Sequence, residues 1–224
     1  MGKIKRLGIN TTALVSVVLI GWAVSVWMHQ DKVLNEIIAR LQADSRIAEV
    51  LVTGVNFDEE SHQTFTTIKF LEYNSSGKPL EPKYFTFSGN IIQFQSLVIR
   101  FDDIYIRNGD KLRGKSAYLF LKAFMLDGKN TQEFDITKES EIPAGYKVSD
   151  KIDPYETKLW KEFWTYALDP EKAKHSGIKN AQIEAPGTLF VPGNLYTIKI
   201  EHDGGIRIDA SKLSPILNGE TIPK

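Results

Sequence analysis

The chain has 224 residues, 28 Lys plus Arg against 28 Asp plus Glu, 42% hydrophobic residues and no cysteine. Balanced charge with scattered cations excludes the basic stripe that nucleic-acid binding requires. The lack of cysteine excludes disulfides, thiol catalysis and cysteine-ligated metals.

Residues 1–6 form a short tail carrying Lys3, Lys5 and Arg6. Residues 7–28 are uncharged and mostly apolar, and as a helix at about 1.5 Å per residue they span roughly 30 Å, the thickness of a bilayer's hydrocarbon core. Trp22 and Trp27 lie in the distal half of this run, where an indole suits the headgroup layer. Three cations precede the run and His29, Gln30, Asp31 and Lys32 follow it, so the positive-inside bias puts the N-terminus in the cytoplasm and the bulk of the chain across the membrane. A cleaved signal peptide is the rival. The small-x-small triplet Ala23-Val24-Ser25 lies inside the apolar run with no polar region before it, which favours a retained signal-anchor. Gly21 and Ser25 form one small-xxx-small pair through which two anchors can meet.

Residues 29–51 are expected to form an amphipathic helical connector. Val33, Leu34, Ile37, Ile38, Leu41, Ile47, Ala48 and Leu51 recur at three- and four-residue steps. The heptads are few and broken near Asp44-Ser45, so a helix lying on the following domain is favoured over a dimeric stalk.

Residues 52–224 are expected to form a mainly antiparallel β domain, a sandwich or half-barrel, with one long covering helix (an α+β domain). Predicted strands are Thr64–Tyr73, Lys83–Ser88, Ile91–Phe101, Ile104–Arg107, Ala117–Leu126 and Glu133–Thr137, rich in β-branched and aromatic residues and separated by Asn-, Asp- and Gly-rich turns. Ile91–Phe101 is apolar on both faces and belongs in the middle of a layered structure. The helix begins at an Asp153 cap, with Pro154 in the first helical position and Glu156 completing a capping box, and stops at Asp169-Pro170. Its stripe of Tyr155, Leu159, Trp160, Phe163, Trp164 and Ala167 is expected to cover the sheet. Asp169 is expected to cap a second short turn. Glu184-Ala185-Pro186-Gly187 and Val191-Pro192-Gly193 suit type II turns on either side of a strand Thr188–Val191.

Near the C-terminus, the segment Ile198–Asp209 contains a histidine, carboxylates and two glycines. A three-residue loop Asp203-Gly204-Gly205 would set His202 against Ile206, Ile200 against Ile208, Ile198 against Ala210, Glu201 against Arg207 and Lys199 against Asp209. That register accounts for most of the segment by folding and leaves His202 and Asp203 as ligand-site candidates. Asp102 and Asp103, with Asp58, Glu59 and Glu60, are oxygen donors for a hard cation, although their spacing matches no ligand loop and suits turns. His29, His62 and His175 are isolated. No phosphate loop, nucleophile elbow or His-Glu-x-x-His motif occurs. No catalytic, cofactor-binding or metal-ligating residue is assigned.

These features lead to an expectation of a bitopic protein of the bacterial inner membrane. It would contact the bilayer through residues 7–28, take no nucleic acid, and present a non-enzymatic interaction or scaffolding domain to an envelope protein partner, with a homodimer through the anchor or connector as a further option. The alternative is a membrane-tethered enzyme or carbohydrate-binding protein that uses Trp160, Trp164 or Tyr146 as stacking platforms.

Overall fold

A computed structural model describes residues 2–40, 46–74, 77–101, 116–126, 131–148, 151–169, 171–172, 178–200 and 205–214. Helix α1 spans Gly2–Arg40 without interruption over 39 residues. Within it, Leu14–Val33 is long and apolar enough to cross a membrane. Side chains such as Leu14, Val18, Trp22 and Trp27 stand exposed, clear of the rest of the protein. The chain therefore consists of a membrane-anchoring helix with an attached β-rich domain.

Ten strands follow among the described residues: β1 (Arg46–Asp58), β2 (Gln63–Glu72), β3 (Lys83–Phe87), β4 (Ile91–Phe101), β5 (Ser116–Leu126), β6 (Thr131–Asp135), β7 (Ile178–Glu184), β8 (Gly187–Leu189), β9 (Asn194–Ile200) and β10 (Ile206–Lys212). Helix α2 (Pro154–Leu168) lies between β6 and β7. One sheet has the order β10-β9-β1-β2-β3 and the other β6-β5-β4-β7, with β8 also paired to β4. Every pairing between these strands is antiparallel, which the short connection between β1 and β2 requires of that pair.

The two sheets enclose a core of Val50, Ile68, Phe70, Phe87, Ile92, Phe94, Phe120, Phe190 and Ile198, among others. Phe70 stacks on Phe94 at 5.3 Å and meets Phe120 edge-on at 5.1 Å, geometries that aromatic quadrupoles favour. A second core lies on the outer face of the second sheet, where Leu97, Ile99 and Leu119 pack with Trp160, Trp164 and Ala167 of α2, Tyr146, and Val33 of α1. The layers are thus sheet, sheet and helices. β4 has a core on both sides, as its neighbour β5 does: Ile92, Phe94 and Val98 face one, Leu97 and Ile99 the other. The expectation for its two apolar faces is met, and the α2 stripe covers the sheet as predicted.

Local signals account for the ends of α2. Asp153 caps it, accepting from the amides of Tyr155 at 2.8 Å and Glu156 at 3.4 Å. Asp169 accepts from the amides of Glu171 and Lys172, the expected second cap. The capping box does not close in the predicted way. Glu156 is buried and Oε1 instead accepts from the Val148 amide at 2.8 Å, pinning the preceding segment to the helix.

Several boundaries differ from expectation. The connector is helical only to Arg40, and Arg46–Leu51 belongs to β1. Ala48, Val50 and Val52 are buried at a period of two, so sheet geometry prevails where apolar residues on both faces also happen to fit helical spacing. β6 begins and ends two residues earlier than predicted. The predicted strand Ile104–Arg107 lies outside the described residues.

The hairpin of β9 and β10 is shifted by two from the expected register. Ile206 pairs with Ile200, Arg207 with Lys199 and Ile208 with Ile198, and residues 201–204 lie outside the described residues. A shift of two preserves side-chain parity and produces two Ile-Ile pairs instead of one. Lys199 and Arg207 then stand opposite each other. Asp209 resolves the repulsion, lying 3.0 Å from Lys199 Nζ and 2.7 Å from Arg207 Nε.

The two predicted type II turns separate. Gly193 has φ +82°, as the second central position of such a turn requires. Gly187 has no positive φ and instead opens β8, which ends at Leu189 and not Val191. A Cβ at Gly187 would meet Gln93 Cγ at 2.5 Å and Ile92 O at 3.2 Å, so glycine is needed there for the close approach to β4.

Candidate functional site

Just beyond its apolar run, α1 carries His29, Lys32, Val33 and Glu36 past the segment that leads into α2. Together with Val148, Lys151, Ile152, Asp153 and Pro154 they line an open groove of about 520 Å³. Three interactions build it. Val33 is buried in the core beneath α2. Glu156 holds the Val148 amide. His29 Nε2 lies 2.7 Å from Asp153 Oδ2, tying the end of the anchor to the N-terminal cap of α2.

The electrostatics of the groove are mixed. Burial works to raise the Asp153 pKa, but the His29 ring and the Tyr155 and Glu156 amides outweigh it and hold the carboxyl below its usual range. Lys32 and Lys151 contribute positive charge and Glu36 negative charge over an apolar floor of Val33, Val148 and Pro154. The His29–Asp153 pair has the form of an oriented acid–base pair, yet none of the described residues lining the groove supplies a hydroxyl or thiol nucleophile. The groove is suited to holding a polar, charged group against an apolar floor.

A half-buried acid sits elsewhere in the domain. Desolvation raises the Glu72 pKa to about 7, with Lys83 partly opposing it. Burial also pushes the neighbouring Tyr146 phenol up, and its hydroxyl donates to the Tyr118 carbonyl at 2.9 Å. A Cβ on Gly145 would lie 3.3 Å from Glu72 Oε1, so this cluster is closed by the 3₁₀ turn Ala144–Tyr146. It is a packed polar knot. A smaller recess of about 120 Å³ is lined by Glu49, Leu51, Lys69, Leu71 and Leu195.

Asp102, Asp103, His202 and Asp203 all lie outside the described residues, as does His175. Asp58 is engaged in a turn, where its carboxylate accepts from the Ser61 amide at 3.2 Å and from the Ser61 hydroxyl. The hydroxyl bond is the main influence holding that carboxyl below its usual range. Among the described residues no group of three or more His, Asp or Glu is placed to hold a metal ion. Trp160, Trp164 and Tyr146 are buried between α2 and the second sheet, so the aromatic platforms expected for carbohydrate stacking do not line a cleft.

The groove went unseen in the sequence. His29 reads there as isolated, and its partner is 124 residues away. The available signal was its position as the first polar side chain after the apolar run. Comparison with protein families, with curated proteins and with solved structures returns no match for this chain.

Proposed function

We propose that the chain is a single-pass protein of a bacterial inner membrane, anchored through residues 7–28 with a cytoplasmic N-terminus, whose extracytoplasmic domain is a non-enzymatic docking platform for an envelope protein. The observation that carries this reading is an apolar band on the outer face of the second sheet. α2 covers that face at Leu97, Ile99 and Leu119. Beyond its reach Ile91 pairs with Leu189, and these are 60% and 51% exposed. Leu126, near the same end of β5, adds another exposed large apolar side chain to that face, while Ile183, which pairs with Leu97, stands apart from them beyond Gln93 and Gln95. Scattered surface leucines are ordinary, but a band on one rigid sheet face is the usual form of a protein contact. The cations Lys3, Lys5 and Arg6 support the orientation.

An export-dependent reporter fused after Lys224 is expected to be active, and a cytoplasmic C-terminus would remove the proposed address. A photo-crosslinking residue at Ile91 or Leu189 in intact cells is expected to yield an adduct with an envelope protein that a residue at the buried Phe94 does not. Absence of any adduct from both exposed positions rejects the docking role.

A further inference from the structure

We infer that the segment leading into α2 makes a second contact with the membrane, with Ile152 seated in the phospholipid headgroup layer of the leaflet where the anchor emerges. The inference rests on the anchor of the preceding reading and not on its protein partner. Its basis is the position of the groove along α1. The helix is unbroken from Gly2 to Arg40, so distance along it sets an upper limit on distance from the membrane whatever the tilt. His29 follows directly on Met28, the last residue of the uncharged run, and its ring is 2.7 Å from Asp153. Val33, already buried in the domain core, lies about 7 Å beyond Met28 at about 1.5 Å per residue. The headgroup layer of one leaflet is itself about 5–7 Å thick. The N-terminal end of α2 and Lys151, Ile152 and Asp153 before it therefore lie at headgroup depth, with no room for an intervening layer of water.

The side chains at that level suit such a setting. Ile152 is 87% exposed, although it is a large apolar residue next to a capped helix terminus. Lys32 lines the same groove, and a long cationic side chain can lay its stem along apolar surface with its ammonium group among phosphates. Trp27 is 66% exposed and sits two residues before His29, the placement of an interfacial indole. The occupant of the groove is thus the phospholipid headgroup layer of the anchor's own bilayer.

The chain has no cysteine, so a single nitroxide can be placed on the full-length protein through Ile152→Cys, with Met28→Cys as a depth reference. The labelled chains are reconstituted in phosphatidylcholine–phosphatidylglycerol vesicles, and collision with oxygen is compared with collision with a water-soluble nickel chelate. At position 152 the nickel collision rate is expected to fall several-fold below that of a fully aqueous nitroxide, with oxygen accessibility approaching that at position 28. Flotation of the vesicles is scored on the same samples. A chain that floats with an aqueous label at 152 overturns the contact alone. A chain that fails to float overturns the anchor and the contact together. Dipolar broadening between labels at 152 places a second copy in the groove and also overturns the inference.

Discussion

The Glu184 carboxylate accepts the Ile206 amide at 2.9 Å, joining the end of β7 in the second sheet to the start of β10 at the edge of the first. Gln182 donates to the other oxygen of the same carboxylate, so this edge of the sandwich is closed by one charged acceptor. Glu184→Ala is expected to cost about 1–3 kcal/mol, the range for a hydrogen bond to a charged group left unmade. The Ile206 amide should lose hydrogen-exchange protection while the Phe94 amide keeps it. Glu184→Gln, which retains an acceptor, should recover most of the protection.

Two tryptophans one helical turn apart provide a matched comparison. Both are buried on α2, but Trp164 Nε1 donates to the Glu141 carbonyl at 2.7 Å while Trp160 Nε1 has no acceptor among the described residues. Replacement by Phe removes the same volume in each case. Trp164→Phe should therefore be the more destabilising by about 0.5–1.5 kcal/mol, the net value of a typical hydrogen bond. Denaturant unfolding of the two full-length variants in the same detergent measures the difference.

Glu72 makes stability fall as pH rises. Its pKa is raised by burial from 4.5 to about 7, so the folded state holds a proton that the unfolded state has released. The contribution is fully present below about pH 4.5 and is lost as pH passes through 7. Allowing for partial solvent contact, the loss is on the order of 1–2 kcal/mol. Glu72→Gln should remove this slope, read as thermal midpoints between pH 5 and 8, and should leave the variant more stable than the parent at pH 8.

Asp153 acts with the opposite sign. Its carboxyl is held below the usual range despite burial, so its contribution is present above the unfolded pKa and disappears as pH falls through the folded value. Asp153→Ala removes both the cap of α2 and the partner of His29 and should cost about 1 kcal/mol. Asp153→Asn keeps a capping acceptor and should cost less, with the acid dependence gone. Circular dichroism melts at pH 3 and pH 7 distinguish the two variants.

Much of the fold was legible because its signals are local. The Asp153 cap, the Pro154 start and the aromatic stripe of α2 are written within fifteen residues, and the two-faced apolar pattern of β4 marks a central strand without knowledge of its neighbours. What failed depended on choices between local patterns of equal quality. Ile47, Ala48 and Leu51 fit a helix as well as they fit a strand, and the strand forms because β2 and β9 flank it on both sides. The hairpin parity of β9 and β10 was legible but the shift of two was not, since both registers match apolar faces and the gain of a second Ile-Ile pair decides between them. The groove was illegible for a different reason: Ile152 and Asp153 meet His29 through tertiary packing, and no spacing in the chain encodes that meeting.

The unbroken course of α1 makes the anchor a lever. A bilayer thinner than the apolar run is matched by tilting the helix. With Val33 locked into the core and His29 joined to Asp153, the sandwich leans with it. Lipid thickness then sets the heading of the open sheet face bearing Ile91 and Leu189, and a change in membrane composition inside the bilayer is expressed as a change of aim outside it.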